Sequence, residues 1–283
     1  MYNKKVGLIA CFLSAVFWQY LFFTGRVMTD LPMVAFYLGA LYFFWRAYVN
    51  KKGWKNYVWF GLFLGLTLFT RGSAALTLGI FGLFILLKDR LKFLKNKHLW
   101  LALIVVVLVI SPYFIYMQMS MDSGNVVVQY TGLQSDRFTQ GMGWSGFGQY
   151  VSFFPTYLFL PFLLVLIGGL ILYLMNLGLK ADLLLKGKSK KGMNDLFLVG
   201  WILIPFIFFS TLVIHMEPRY LMIIFPALFL IMGNGLVWLE GFIAKYQKEL
   251  ATTTIVLILL LGGYFQVTYA GEIVDVKADS YTE

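Results

Sequence analysis

Long apolar runs, separated by short polar stretches, follow one another along the whole chain. A helical run of about 18 to 20 apolar residues is long enough to cross the hydrocarbon core of a bilayer. The pattern therefore predicts an all-α fold, a polytopic transmembrane helical bundle of about nine spans. The predicted spans are Val6–Phe23, Pro32–Val49, Tyr57–Thr70, Ser73–Leu87, Leu99–Met117, Tyr157–Leu177, Leu196–Ile214, Arg219–Leu239 and Thr253–Ala270. They make residues 1–271 one transmembrane domain, with a long loop over 118–156 and a tail over 272–283.

The composition agrees with a membrane protein. Hydrophobic residues make up 60% of the 283 positions and charged residues 13%, whereas charged residues average about 25% in a soluble domain. A net charge of +10 would otherwise suggest nucleic acid as a partner, but here the basic residues lie in short loops beside the spans. We therefore expect the lipid bilayer, and no nucleic acid, as a partner. The single cysteine, Cys11, excludes an intramolecular disulfide.

The distribution of basic residues predicts the orientation of the chain. All but five of the 23 Lys and Arg residues lie in the N-terminal segment and in alternate loops. The positive-inside rule places these segments in the cytoplasm. We therefore predict an integral plasma-membrane protein with a cytoplasmic N-terminus and an extracytoplasmic C-terminus. The remaining five basic residues are Arg26, Arg71, Arg137, Arg219 and Lys277.

Ionisable residues gather in the connections of the predicted outer face. Asp30 ends the "TGRVMTD" turn, and Arg71 lies in a tight turn between two short spans. Ionisable groups at membrane depth are costly and usually functional. Two simpler roles stay open, because Asp30 and Glu217 could each cap the span that follows. Arg219 has the wrong sign for a helix N-terminus, so we expect it to pair with Glu217, Asp30 or a ligand.

The long predicted outer loop is poor in charge and rich in glycine and aromatic residues. Loops of this length are usually functional or disordered. Aromatic faces pack against pyranose rings, so the loop is a candidate cover for a sugar or an acceptor. Aromatic enrichment at the membrane interface is the alternative explanation. The candidate cover residues are Tyr130, Arg137, Trp144 and Tyr150.

The outer charges favour an anionic lipid substrate. Arginine binds phosphate in bidentate fashion, and carboxylates can hold a divalent cation that bridges phosphate oxygens. A polyprenyl-phosphate sugar has the matching chemistry. Asp30 and Glu217 are the candidate ligands for Mg or Mn. The candidate donor-phosphate or metal-site residues are Asp30, Arg26, Arg71, Arg219 and His215.

Several segments, in consistent order over residues 7–239, resemble the GT-C glycosyltransferases. The branch includes protein O-mannosyltransferases, lipid A aminoarabinose transferases and Rgt-type sugar transferases. The segments "FWQYLFFTGRVMTDLPMVAFYL" and "GLFLGLTLFTRGSAAL" carry the resemblance, with Arg71 where the family usually has lysine. "GFGQYVSFFPTYLFLPFLL" resembles the entry after the family's long mid-chain loop. "HMEPRYLMIIFPALFLIMGNGL" resembles a span near the end of its conserved core.

The resemblance implies sugar transfer with inversion from a polyprenyl- or dolichyl-phosphate donor to a glycan, lipid or protein acceptor. The chain opens at what resembles the family's third span, so we expect a truncated chain that lacks two spans and the first outer loop. That loop carries the catalytic carboxylate in the family, and the general base is therefore unassigned here. Glu217 and Asp136 are stand-ins, and the activity of this chain alone is an open question.

Two other classes of function stay open. A lipid or solute transporter or flippase would place ionisable groups near the bilayer midplane and often shows internal repeats. The predicted spans have few charges inside them, and no inverted repeat is visible. A non-catalytic membrane scaffold is the second alternative, and the missing first loop favours it.

Overall fold

The structure is a computed structural model of the chain, and it describes residues 3–26, 28–120, 145–179, 190–212 and 217–279. Regular structure within these ranges is helical, without strands. The α-helices are α1 (Lys4–Val16), α2 (Trp18–Thr24), α3 (Asp30–Phe44), α4 (Lys55–Thr70), α5 (Ala75–Asp89), α6 (Lys97–Ser120), α7 (Ser145–Leu179), α8 (Lys190–Leu212), α9 (Phe225–Ile243) and α10 (Lys248–Asp279). The predicted all-α helical fold is confirmed.

Five of these helices, α6 to α10, are long and apolar enough to cross a membrane. Helices α1 and α2 would add a sixth span if they are taken together across a bend of 54°. Helices α3, α4 and α5 have 15, 16 and 15 residues, which is short for a crossing. The protein is an integral membrane protein, and the count of nine spans stays a prediction.

Several boundaries differ from the predicted ones, and a proline accounts for one of them. The eighth span was predicted from Arg219, but residues Pro218–Ile223 form a 3₁₀-helix and α9 begins at Phe225. Pro226 lacks a backbone N–H, and proline is favoured in the first turn of a helix, where that N–H has no helical partner. Helix α7 begins at Ser145, well before the predicted start of the sixth span at Tyr157.

The chain divides into two compact units, which are described separately. The first comprises Met1–Val27, Ser145–Phe206 and Met216–Glu283. Its central helix is α9, which packs against α1, α7 and α10. Helices α7 and α9 approach closely where Gly169 faces Gly235, because a Cβ atom at Gly235 would lie 2.9 Å from the Gly169 Cα atom.

The second unit comprises Met28–Trp144 and Ile207–His215. In this unit α4 packs against α3 on one side and α6 on the other. Gly65 permits the second contact, since a Cβ atom there would lie 2.8 Å from Val109 Cβ. A cluster of buried phenylalanines, among them Phe44, Phe60 and Phe81, fills the space between α3, α4 and α5.

Two helices of the first unit are broken inside their apolar stretches. The chain bends between α1 and α2 at Phe17, and α7 is kinked at Phe159, where φ is 51°. Such breaks leave backbone groups without helical partners, which is costly away from water. The buried Gln266 of α10 supplies the missing bonds. Its Oε1 atom accepts from the Trp18 N–H at 2.9 Å, and its Nε2 atom donates to the Tyr157 carbonyl at 2.8 Å.

Candidate functional site

Asp30 and Arg71 form an ion pair in the second unit. Asp30 is the first residue of α3, and Thr29 occupies the N-cap position. Arg71 follows the last residue of α4 in an extended conformation. The tight turn predicted around Arg71 thus brings its guanidinium to the start of α3. Asp30 is therefore not the N-cap of α3, and its carboxylate pairs instead with the residue that follows α4.

The Asp30 carboxylate is deeply buried in this pair. Its side chain is 3% exposed, whereas the Arg71 side chain is 20% exposed. Removing one partner of a buried pair leaves a buried charge uncompensated, which typically costs about 3–5 kcal/mol. Asp30 therefore fixes the position of the guanidinium, and the part of Arg71 that reaches the surface is where an anionic group can approach.

A 3₁₀-helix, Pro218–Ile223, is the second candidate element, and it belongs to the first unit. Three aromatic side chains from three different helices donate hydrogen bonds to its main-chain carbonyls, each at 2.8 Å. The donors are Tyr20 of α2, Tyr157 of α7 and Trp201 of α8. Tyr and Trp suit this role because each combines a large apolar ring with one polar group.

Glu217 and Arg219 form an ion pair on this anchored segment. Their side chains are 37% and 26% exposed, so the pair is open to a ligand. The Glu217 side chain makes no helix-capping hydrogen bond, so the capping role considered for it is not observed. Glu217, one of the three partners predicted for Arg219, forms an ion pair with it.

Tyr150 lies within electrostatic range of Glu217 and Tyr220. Tyr150 is fully buried, and its hydroxyl makes no hydrogen bond with the described part of the chain. A buried hydroxyl without a partner is uncommon in proteins. The structure therefore associates one predicted cover residue, Tyr150, with the Glu217–Arg219 pair.

The other predicted site residues have different positions. Arg26 belongs to the first unit and lies over the Phe22 ring, with 4.1 Å between the guanidinium carbon and the ring centroid. Five further predicted residues lie outside the described ranges: Tyr130, Asp136, Arg137, Trp144 and His215. Within those ranges, no group of three or more His, Cys, Asp and Glu residues could hold a metal ion.

A cavity lined by apolar residues is a further feature of the first unit. It has a volume of about 500 Å³ and lies between α7, α9 and α10. Its walls include Leu160, Leu164, Gly168, Leu236 and Leu261. The glycines on α7 leave the wall without side chains at that point, so the cavity suits a slender hydrocarbon chain.

Sequence reasoning missed Tyr20, Tyr157 and Trp201 as supports of the site. Each lies inside an apolar run, where aromatic residues usually indicate packing. The available signal was the pair of prolines at positions 218 and 226. A proline-rich helix start leaves carbonyls without helical N–H partners, and such groups need donors from elsewhere.

Residues 1–116 match the family model described as dolichyl-phosphate-mannose-protein mannosyltransferase. This match confirms the resemblance to GT-C glycosyltransferases for residues 1–116, and the resemblance of the later segments stays a prediction. The segment matched by this mannosyltransferase family contains Asp30 and Arg71, whereas Glu217 and Arg219 lie beyond it. Comparisons of the chain with curated proteins and with solved structures give no match.

Proposed function

We propose that the protein is a membrane glycosyltransferase that moves a sugar from a polyprenyl-phosphate donor to an acceptor on the extracytoplasmic face. The observation that carries the proposal is the buried Asp30–Arg71 pair, which lies inside the segment matched by the mannosyltransferase family. The family description names mannose on dolichyl phosphate as the donor and protein as the acceptor. We extend both to this chain as part of the proposal.

In the proposed reaction Arg71 stabilises the leaving group. The acceptor oxygen forms a bond to the anomeric carbon while the bond between that carbon and the phosphate oxygen breaks. The electron pair of the broken bond stays on the polyprenyl phosphate, whose charge the guanidinium offsets. Asp30 acts as a positioning residue, because it holds Arg71 rather than the substrate.

The acceptor hydroxyl must lose its proton to a base. Glu217 is the described candidate, and Asp136, outside the described ranges, is the other. Glu217 is partly exposed and stands on a segment with three main-chain anchors, so its position within the first unit is well defined. Help from a general base contributes about 10²- to 10⁴-fold to a rate.

The cavity between α7, α9 and α10 supports a lipid-linked donor, since its walls suit part of a polyprenyl chain. A divalent cation, Mg or Mn, remains a proposal, and its two candidate ligands, Asp30 and Glu217, belong to different units. Asp30 is already paired with Arg71, so the leaving-group role above is assigned to the arginine and no step passes through a metal.

The proposal is tested with the full chain reconstituted in vesicles that contain labelled polyprenyl-phosphate mannose and an acceptor. We expect transfer that falls about 10²- to 10³-fold in Arg71→Gln, the cost typical of losing one charge-stabilising donor. The matched control is Arg46→Gln, which removes an arginine whose Nη1 atom donates to Tyr42 Oη at 2.8 Å. This control should keep its activity.

If a folded full chain transfers no sugar to protein, lipid or glycan acceptors, the proposed glycosyltransferase activity is rejected. Two further measurements then separate the alternatives. Movement of labelled lipid or solute across the vesicle membrane would indicate a transporter or flippase. A chain with neither activity would fit a membrane scaffold.

A further inference from the structure

Two short connections lie at one end of the second unit. One joins α3 to α4, and the other is the 3₁₀-helix Arg90–Lys95 between α5 and α6. The Tyr48 hydroxyl donates to the Asp89 carboxylate at 2.5 Å. This hydrogen bond connects the segment that follows α3 to the end of α5. The Tyr57 ring stacks on the His98 ring with centroids 5.5 Å apart, which ties the start of α4 to the start of α6.

These connections carry an exposed set of cations that we name the basic surface. Its residues are Lys51, Lys52, Lys55, Arg90, Lys92, Lys95 and Lys97. Asp89 is the sole acidic residue between positions 45 and 100 of the sequence, and the Tyr48 hydroxyl already donates to it. Among the described residues, no carboxylate forms an ion pair with a member of the basic surface. The described part of the chain therefore leaves the charge of the basic surface without a neutralising carboxylate.

Large apolar side chains are exposed beside the cations. Leu91 is 70% exposed and Leu94 is 48% exposed, although both belong to the 3₁₀-helix. Trp54 and Trp100 are 54% and 49% exposed. The Trp100 Nε1 atom donates to the Leu94 carbonyl at 2.9 Å, which fixes the 3₁₀-helix against the start of α6. Exposed leucine and tryptophan beside lysine is the composition of a segment that lies in a membrane interface.

The position of the surface along the membrane normal is set by α6. The apolar stretch of this helix that can cross a membrane begins at Lys97, a member of the basic surface. The surface therefore lies where the hydrocarbon core gives way to lipid headgroups. Phosphate groups of the leaflet are the nearest anions at that depth, and each Lys or Arg near an anionic membrane contributes about 1 kcal/mol to binding.

We propose that the basic surface is a binding site for anionic phospholipid headgroups. The cations hold the phosphates, and the exposed leucines and tryptophans enter the adjoining acyl region. This inference is independent of the proposed sugar transfer, because none of the residues of the basic surface belongs to the candidate transferase site.

The test uses the full chain in nanodiscs of phosphatidylcholine with a defined fraction of labelled phosphatidylglycerol. We expect the protein to enrich phosphatidylglycerol around itself, and salt to weaken the enrichment. The variant Arg90→Gln/Lys92→Gln/Lys95→Gln should weaken phosphatidylglycerol binding by at least about tenfold, since each cation near the surface accounts for about fivefold. Its thermal unfolding in pure phosphatidylcholine should match that of the unaltered chain.

The matched control removes three cations from the first unit with Lys4→Gln/Lys245→Gln/Lys248→Gln. This control should keep the enrichment, because the proposal assigns the headgroup site to the basic surface. An equal loss in both triple variants would mean that general charge explains the binding and would overturn the proposal. Equal affinity of the unaltered chain for the two lipids would also overturn it.

Discussion

Replacing Gln266 with leucine removes two buried hydrogen bonds that join three helix segments of the first unit. The Trp18 N–H is at the start of α2, where a helix has no internal partner for it. The Tyr157 carbonyl loses its helical partner because the residue four positions later is a proline, at position 161. Gln266 is fully buried and satisfies both groups. Leucine has a similar size, so the variant tests the polar contacts more than the packing.

The expected loss of unfolding free energy follows from the two backbone groups that leucine leaves without a hydrogen-bond partner. Each buried donor or acceptor without a partner costs about 1–3 kcal/mol, so two cost about 2–6 kcal/mol. Hydrogen bonds between membrane helices average about 0.6 kcal/mol where the backbone finds other partners. The kink at Phe159 and the bend at Phe17 restrict such rearrangement. We therefore expect a loss within the range for two unsatisfied groups, at least about 2 kcal/mol.

Unfolding of the purified chain in mixed micelles, followed by tryptophan fluorescence against denaturing detergent, measures the loss. The matched control is Thr253→Val on the same helix. It removes an exposed hydrogen bond to the Glu249 carbonyl, which retains its bond within the helix. A Gln266→Leu variant no less stable than this control would refute the reasoning about the broken helices.

Three further predictions concern packing and the site. Asp30→Asn should destabilise the chain by about 3–5 kcal/mol. The added change Arg71→Met should restore most of this stability, because it removes the uncompensated charge. Thermal unfolding of both variants in detergent measures the two effects. Gly235→Val should reduce the monodisperse fraction in size-exclusion chromatography, while Gly241→Val, where a Cβ atom meets nothing within 4 Å, should not. Trp201→Phe should leave one 3₁₀ carbonyl without a donor and cost about 1–3 kcal/mol, measured by the same unfolding titration.

The helical fold was predictable because membrane-spanning stretches must satisfy their backbone internally. Apolar length alone could not locate the break at Phe17. No proline or glycine occurs there, and the group that satisfies the broken backbone, Gln266, is 248 residues away from its partner Trp18. The two prolines near α9 did carry a local signal for a late helix start, which the apolar pattern concealed.

The candidate site was predictable in its residue types and only partly in its pairings. Arg71 and Asp30 were expected in one site because both lie in turns of the predicted outer face, and the structure pairs them directly. The sequence suggested three possible partners for Arg219, and one of them, Glu217, forms an ion pair with it. The pairings depend on side-chain direction at helix ends, and spacing in the sequence does not determine that direction.

The anchoring of the 3₁₀-helix has a consequence for how sequence can vary. The three aromatic donors bind main-chain oxygen atoms, which every amino acid supplies. Substitutions at its less buried positions, Arg219 and Tyr220, therefore keep these three hydrogen bonds, whereas changes at Tyr20, Tyr157 or Trp201 would remove them. Engineering a new specificity should accordingly vary these two positions and preserve the three aromatic side chains.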